Sequence, residues 1–197
     1  MLNLKPQVLD YVLKIDGVIK PPLINLINEQ IYNKEAETFQ SGGVGGKDEA
    51  IYNTEIRSVQ IQALYEDMIG TSISKRVIYN ELKMATSQIE NIYREKVCNF
   101  YHSSSNYFQF LYYNSQMKGH YEYHTDYVEK FPRHLTIIVG LNDKKEYEGG
   151  KLFIQNHEEG ITLDKGEIVC FPSNFMFPHK VSKVTKGERK VMIIWTR

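Results

Sequence analysis

Three side chains in the second half of the sequence have the types and spacing of metal ligands. His124 and Asp126 are separated by one residue, and residues two apart on a β-strand point to the same face. An imidazole and a carboxylate would then enter the same space, and His179 is the candidate third ligand. Two histidines and one carboxylate suit a non-haem Fe(II) oxygenase, but zinc hydrolysis can use the same set. The three ligands alone leave both chemistries open.

Arg189 bears on the choice between these chemistries. The segments 179–184 and 189–195 have the pattern of two strands of a hairpin, with Gly187 in the turn. One face of the second strand would carry Arg189 among Val191, Ile193 and Trp195. An arginine that faces an apolar interior needs an anion, and a bound carboxylate would supply one through a directional ion pair. The alternative is a solvent-exposed Arg189 beside other charged residues, and spacing does not decide between the two.

The rest of the chain predicts helices first and strands afterwards. Pro21 and Pro22 open one helix, and an apolar stripe predicts a second from about Ser74 to Val97. After Asn99, short apolar runs between turn residues are typical of an antiparallel β domain. We therefore expect an α+β fold in a single domain, residues 1–197, with a helical part to about residue 98 and a β core from about 99 to 197. The strands are expected at 107–113, 119–123, 135–141, 151–155, 167–171, 179–184 and 189–195.

One segment of the first half has a different character. Ser41–Lys47 contains four glycines in seven residues and predicts a flexible loop. Its length is sufficient for a lid over a site, and a plain surface loop is the alternative.

Composition narrows the class of partner. The 24 basic and 24 acidic side chains give a formal net charge of zero, so no long-range field points to nucleic acid or to an anionic membrane. No apolar run approaches the length of a membrane span, and Lys5, Pro6 and Asp10 argue against a secretory signal. Cys98 and Cys170 do not make a disulfide framework and suit a reduced, cytoplasmic protein.

In their order and spacing, these motifs resemble the prolyl 4-hydroxylase-like branch of the 2-oxoglutarate and iron(II)-dependent dioxygenases. The resemblance covers about Phe108 to Trp195. It rests on the approach 121–123 before His124 and Asp126, the double glycine at 149–150, the segment 166–172 before His179, and Gly187-Glu188-Arg189. Arg189 stands ten residues after His179, where the family places the basic residue that holds 2-oxoglutarate.

The resemblance implies a fold and a chemistry. The expected core is a double-stranded β-helix, or jelly roll. Fe(II) would be bound by His124, Asp126 and His179, and 2-oxoglutarate would chelate it through its 1-carboxylate and keto oxygen. The distal carboxylate would pair with Arg189, and O2 would take the remaining position, giving succinate and CO2 as the substrate is hydroxylated. The metal and cosubstrate carry the chemistry, and ascorbate is an optional addition to this set.

The resemblance also assigns further residues to the site. Tyr113, or its neighbour Tyr112, would line the cosubstrate pocket, and Thr136 would assist where some members have a tyrosine, near Gly140. Arg133 and Trp195 match positions beside the target proline, against the alternatives of a turn residue and a core edge. The remaining histidines have no matched role and are expected to be structural or exposed: His102, His120, His134 and His157.

We therefore expect a dioxygenase that hydroxylates a prolyl residue in a protein or peptide. The first alternative is an oxygenase acting on a free amino acid or another small molecule. The second is a non-catalytic metal-binding module on the same fold, against which Arg189 argues because such a module has no need of a carboxylate anchor. Nucleic acid is disfavoured as a partner because no basic and aromatic cluster stands out.

Overall fold

Two helices and several short helical turns accompany the β core. The structure is a computed structural model that describes residues 8–44, 51–100, 107–130, 132–155 and 157–197. Helix α1, Pro21–Ile27, begins at the proline pair and continues as a π-helical segment, Asn28–Asn33. Helix α2, Ile73–Lys96, begins where the Ser72 hydroxyl accepts a hydrogen bond from the Lys75 backbone N–H at 3.3 Å. Within the described ranges, neither helix is both long and apolar enough to cross a membrane.

Short 3-10 turns and twelve strands make up the other described elements. The turns are Val8–Tyr11, Ala36–Thr38, Glu66–Met68 and Lys144–Glu146. In the first half of the chain the strands are β1 Leu13–Ile15, β2 Gln40–Ser41, β3 Arg57–Ser58 and β4 Gln60–Tyr65. In the second half they are β5 Tyr107–Asn114, β6 His120–His124, β7 Leu135–Gly140, β8 Tyr147–Gly149, β9 Leu152–Ile154, β10 Ile168–Pro172, β11 His179–Val181 and β12 Val184–Trp195.

These strands form two antiparallel sheets. The larger has the order β1-β10-β7-β12-β5-β4-β2, with β8 paired to the start of β12. The smaller has the order β3-β6-β11-β9. Apolar side chains of both sheets pack together in one cluster, among them Leu111 and Val191 from the larger sheet and Leu152 and Val181 from the smaller. The two sheets therefore face each other across a common interior.

The helices cover the outer face of the larger sheet. Residues of β12 alternate, so that Val191 packs in the interior while Met192 and Ile194 join a second cluster with Ile24 of α1 and Leu82 of α2. This arrangement confirms the expected α+β architecture with N-terminal helices packed against the β core.

The first half of the chain contains more β-strands than we predicted from its sequence. Four strands, β1 to β4, precede residue 99, where a helical part was expected. Strand β4 pairs with β5 over six residues, and β3 pairs with β6. Strands β2 and β3 have only two residues each, too few to show a period, and β4 lies in a segment where no element was predicted.

The predicted hairpin between residues 179–184 and 189–195 is wrong. Strand β11 lies in the smaller sheet, whereas β12 lies in the larger one between β5 and β7. Gly187 is not a hairpin turn but an interior residue of β12, with a φ of 68°. A side chain there would collide with the carbonyl of Glu146, so the glycine serves close approach to β8 instead. The predicted face of Arg189, Val191, Ile193 and Trp195 is unaffected, because alternation continues along β12.

Candidate active site

His124, Asp126 and His179 meet at the end of the smaller sheet. His124 is the last residue of β6 and lies directly opposite His179, the first residue of β11. Asp126 lies just beyond the end of β6 rather than on the strand, as the sequence suggested, but its carboxylate still joins the two imidazoles. One candidate ligand atom from each residue lies within 4.8 Å of the other two. The Nε2 atoms of His124 and His179 are 3.9 and 3.5 Å from the carboxylate oxygens.

Backbone carbonyls orient both imidazoles. The Nδ1 atom of His124 is 2.8 Å from the carbonyl oxygen of Glu122, and that of His179 is 3.0 Å from the carbonyl oxygen of Phe177. An Nδ1 atom beside a carbonyl oxygen must carry the proton and donate it. Each Nε2 atom therefore keeps its lone pair directed towards the centre of the triad, which is the tautomer that a metal ligand requires.

The charge states of the triad also suit a cation. Burial, reinforced by His179, lowers the pKa of His124 to about 3, so this imidazole is neutral near pH 7. Burial alone would raise the pKa of Asp126, but His179 and His124, with hydrogen bonds from Trp195 and Thr136, bring it below its usual value. The group thus offers a buried carboxylate and, in His124, a neutral imidazole nitrogen, both of which suit metal binding.

Thr136 lies at this carboxylate and not at the cosubstrate anchor. Its hydroxyl is 2.7 Å from Asp126 Oδ2 and 2.8 Å from the hydroxyl of Ser173. Thr136 pairs across the sheet with Trp195, whereas Gly140, at the other end of β7, pairs with Val191, near Arg189. The described contact of Thr136 is a hydrogen bond that holds Asp126, and its contact with 2-oxoglutarate stays a prediction.

Arg189 is buried deep between the sheets, with 2% of its surface exposed. Its guanidinium carbon lies 5.0 Å from the centre of the Tyr113 ring, and its side chain also hydrogen bonds with Tyr147. Two of its nitrogen atoms, Nε and Nη1, have no hydrogen-bond partner among the described residues. A solvent-exposed Arg189 is excluded, and a buried guanidinium with unsatisfied donors fits an anionic ligand.

The double glycine of the sequence motif makes room for this arginine. A Cβ atom on Gly150 would lie 2.8 Å from the Cδ atom of Arg189, and Gly150 has a φ of 58°. Both the space and the backbone conformation favour glycine here.

Arg133 and Trp195 stand beside the triad as a stacked pair. The guanidinium carbon of Arg133 lies 3.8 Å from the centre of the indole ring. Its Nη1 atom is 3.3 Å from the backbone oxygen of Asp126 and 3.7 Å from the carboxylate atom Oδ1. Both residues line the same cavity as the triad. This position beside the triad favours a substrate contact over the turn and core-edge alternatives, and that contact stays a prediction.

A cavity of about 500 Å³ joins these groups. Its walls include the triad, Tyr113, Arg133, Trp195, the segment Gly42–Val44, and Arg57, which the sequence did not indicate. Arg189 lies next to this cavity, in contact with Tyr113, rather than on its surface. Part of the glycine-rich segment 41–47 therefore forms a wall of the site, while residues 45–47 lie outside the described residues. Its role as a lid stays a prediction.

The other described histidines stand apart from the triad. His120 is buried between the carbonyl oxygens of Lys118 and Glu55, whereas His134 and His157 are exposed. His102 lies outside the described residues.

Known proteins share both the sequence motifs and the fold. Residues 108–197 match the 2OG-Fe(II) oxygenase superfamily. This segment belongs to the superfamily. A PKHD-type hydroxylase of Prochlorococcus marinus (strain MIT 9515) is 26% identical over 167 residues, which are 83% of this chain and 68% of that protein.

Solved structures of other oxygenases superpose on nearly the whole chain. A prolyl hydroxylase in complex with a hypoxia inducible factor peptide, from Trichoplax adhaerens, has a TM-score of 0.75 at 15% identity and covers 95% of this chain and 83% of its own. A Pseudomonas putida prolyl-4-hydroxylase has a TM-score of 0.70 at 19% identity and covers 95% and 92%. The fold of this oxygenase is thereby confirmed as a double-stranded β-helix, with N-terminal helices packed on it.

Membership assigns a cofactor set to this oxygenase. The superfamily uses Fe(II), 2-oxoglutarate and O2. The His-Asp-His group provides the donor set that suits Fe(II), and the unsatisfied donors of Arg189 fit a carboxylate.

We predict that each ligand is necessary for metal binding. His124→Ala, Asp126→Ala and His179→Ala should each weaken Co(II) binding by more than about 100-fold, because losing a ligand costs more than losing a hydrogen-bond partner of a ligand. Isothermal titration under anaerobic conditions measures the affinity. His157→Ala, which removes an exposed histidine, serves as the matched control. Wild-type affinity in any of the three variants would contradict the assignment.

Proposed function

We propose that this oxygenase hydroxylates a prolyl residue in a protein or peptide. His124, Asp126 and His179 would hold Fe(II), and Arg189 would pair with the distal carboxylate of 2-oxoglutarate. The observation that carries the proposal is the buried Arg189, whose Nε and Nη1 atoms have no described hydrogen-bond partner, next to a group of three side chains that could bind a metal. A zinc hydrolase would use the same triad but would have no use for that anchor.

The protein's own contribution is to fix the ligands and keep water out. Carbonyl oxygens of Glu122 and Phe177 hold the two imidazoles by their Nδ1–H groups. Thr136 holds the carboxylate of Asp126, and aromatic side chains such as Phe171, 5.0 Å from the His179 ring, shield the triad. Fe(II) and 2-oxoglutarate, when bound, supply with O2 the oxidising power that inserts oxygen into a C–H bond.

The cosubstrate anchor combines one charge with two phenols. Tyr113 and Tyr147 both contact Arg189, and burial raises the pKa of each phenol, so both remain neutral. The Tyr147 hydroxyl already donates to the carbonyl oxygen of Leu163 at 3.0 Å, so Tyr113 is the phenol placed to donate to a carboxylate. A carboxylate at Arg189 would therefore meet donors of both kinds. Charge-assisted hydrogen bonds of this type are about twice as strong as neutral ones.

The prolyl substrate is supported by the pair Arg133 and Trp195. Proline has no backbone N–H, so an enzyme must recognise its ring by shape and its neighbours by their carbonyl groups. The indole of Trp195 offers a flat apolar wall in the cavity. The Nε atom of Arg133 is buried without a described hydrogen-bond partner and can donate to a peptide carbonyl. Relatives named as prolyl hydroxylases support the same substrate class.

We further propose that residues 1–197 act as one oxygenase domain, since β3 and β4 of the first half pair with β6 and β5 of the second. We also infer a cytoplasmic location, where the free thiols of Cys98 and Cys170 stay reduced.

The experiment that tests the function follows both halves of the reaction. Purified protein is incubated with 2-oxoglutarate, ascorbate and a library of proline-containing peptides, with and without Fe(II). Succinate formation and a mass gain of one oxygen on a peptide are measured together. Succinate without peptide oxidation would point to a small-molecule substrate. Absence of succinate formation would contradict the oxygenase, and turnover with zinc and no O2 would favour a hydrolase.

Removing the anchor should weaken cosubstrate binding selectively. We predict that Arg189→Ala raises the KM for 2-oxoglutarate roughly 10- to 100-fold, corresponding to about 1.5–3 kcal/mol for a lost hydrogen bond to a charged group. Co(II) affinity should barely change, because Arg189 is not among the grouped ligands. Lys186→Ala, on the same strand but exposed, is the control. An unchanged KM would show that the carboxylate binds elsewhere.

Loss of a substrate contact should reduce peptide hydroxylation while 2-oxoglutarate is still converted to succinate. At saturating Fe(II), we predict that Arg133→Ala and Trp195→Ala reduce peptide hydroxylation about 10-fold or more, while succinate formation without peptide is largely retained. Saturating metal is needed because both side chains also contact Asp126. Trp195→Phe keeps a flat ring and should retain more hydroxylation than Trp195→Ala. Equal loss of both reactions in every variant would argue against a substrate role.

A further inference from the structure

A bulge in strand β6 brings the Tyr121 and His124 rings together. In the β6–β11 pair, Tyr121 lies opposite Val181 and His124 opposite His179, so three residues of β6 span two of β11. Residues three apart on a regular strand point to opposite faces, and the extra residue of a bulge changes this. The two rings stack with their centres 3.5 Å apart and their planes 17° apart. A metal-ligand imidazole is thus packed flat against a phenol ring.

Arg57 contacts the same phenol ring from the neighbouring strand. It lies directly opposite Tyr121 in the β3–β6 pair. Its guanidinium carbon is 4.4 Å from the centre of the Tyr121 ring, within the range of a cation–π interaction. The Tyr121 ring therefore contacts both the Arg57 guanidinium and the His124 imidazole.

The guanidinium is itself held in place by the cavity wall. Its Nη1 atom donates to the carbonyl oxygen of Gly43 at 2.6 Å. A Cβ atom on Gly42 would lie 3.1 Å from the Nε atom of Arg57 and 2.7 Å from side-chain atoms of Val59 and Ile61. The missing side chain at Gly42 lets this segment lie close against Arg57. A planar guanidinium can stack and donate at once, which the ammonium group of lysine cannot do in the same geometry.

We propose that Arg57 is a positioning residue of the metal site, acting through Tyr121. The guanidinium keeps the Tyr121 ring against His124. The hydrogen bond from His124 Nδ1–H to the Glu122 carbonyl oxygen fixes one edge of the imidazole, and the stacked Tyr121 ring prevents the imidazole from tilting out of its plane. The Nε2 lone pair of His124 then stays aimed at Asp126 and His179. This inference deepens the proposed function, because it rests on His124 being a metal ligand. It adds a residue outside the segment 108–197 that matches the superfamily.

The test measures metal binding without turnover. Co(II) affinity and the Co(II) absorption spectrum, which reports ligand geometry, are recorded without 2-oxoglutarate for the wild type, Arg57→Ala, Arg57→Lys, Tyr121→Leu and Tyr121→Phe. We expect Arg57→Ala and Tyr121→Leu to bind about 10-fold more weakly, as is common when support of a metal ligand is lost, with an altered spectrum. Tyr121→Phe keeps the stack and should resemble the wild type, while Arg57→Lys should fall between.

A matched control separates positioning from a general loss of stability. Arg76→Ala removes an exposed arginine on α2 that likewise donates to a glycine carbonyl, that of Gly70 at 3.1 Å. It should leave affinity and spectrum unchanged. Thermal unfolding of the metal-free variants checks the fold, and if Arg57→Ala does not fold, Arg57→Lys and the two Tyr121 variants carry the comparison.

Specific outcomes would overturn the inference. Wild-type affinity and spectrum in Arg57→Ala, or in Tyr121→Leu, would do so, as would an equal loss in Tyr121→Phe and Tyr121→Leu. The proposed function fails separately: a wild-type protein that binds Co(II) but forms no succinate refutes the oxygenase reaction and leaves the positioning role intact. Unchanged Co(II) binding in His124→Ala would refute both the ligand assignment and this inference.

Discussion

The antiparallel pairing of β6 with β11 sets His124 directly opposite His179, and the rest of the site is arranged around that register. Side chains opposite each other in adjacent strands come close whatever their type. Here the two imidazole centres are 4.3 Å apart. A shift of one residue in either strand would turn one histidine to the outer face of the sheet. Because Asp126 follows the end of β6, the same register also decides where the carboxylate lies.

Two buried charges flank this register. Asp126 has Arg133 as an ion-pair partner at 3.7 Å, whereas Arg189 has no ion pair among the described residues. Asp126 keeps a depressed pKa although it is 6% exposed, and Arg189 has two unsatisfied donors at 2% exposed. Burying a charge without a matched partner is costly, so the surrounding fold must supply the free energy that holds both in place. A cation at the first and a carboxylate at the second would remove those costs. Binding of metal and cosubstrate should therefore stabilise the folded chain as well as complete the site.

The sequence predicted the parts of the site that depend on local periodicity. The predicted hairpin was wrong, but the prediction that Arg189 lies on the inner face was right. Side chains alternate between the two faces of a strand whatever its partner strand is. The hydrogen bond of Thr136 to Asp126 was not predicted, because it depends on the register between β7 and β12, which one strand does not contain. Arg57 carried no local signal: its role depends on pairing with Tyr121, far away in the chain, and on a bulge that only the partner strand reveals.

The first half of the chain is therefore part of the site and not only a cover for it. The segment that matches the superfamily, 108–197, contains the three candidate ligands and Arg189, to which we assign the metal and the cosubstrate. The wall formed by Gly42–Val44 and Arg57 comes from strands and loops before it. The alignment with the Prochlorococcus marinus relative spans 167 residues and so extends well beyond that segment. Strands β3 and β4 are hydrogen bonded to β6 and β5. A displacement of β3 or β4 would therefore shift the candidate metal ligands through strand pairing and ring contacts alone. The early strands can thus adjust the geometry of the ligands without supplying a ligand themselves.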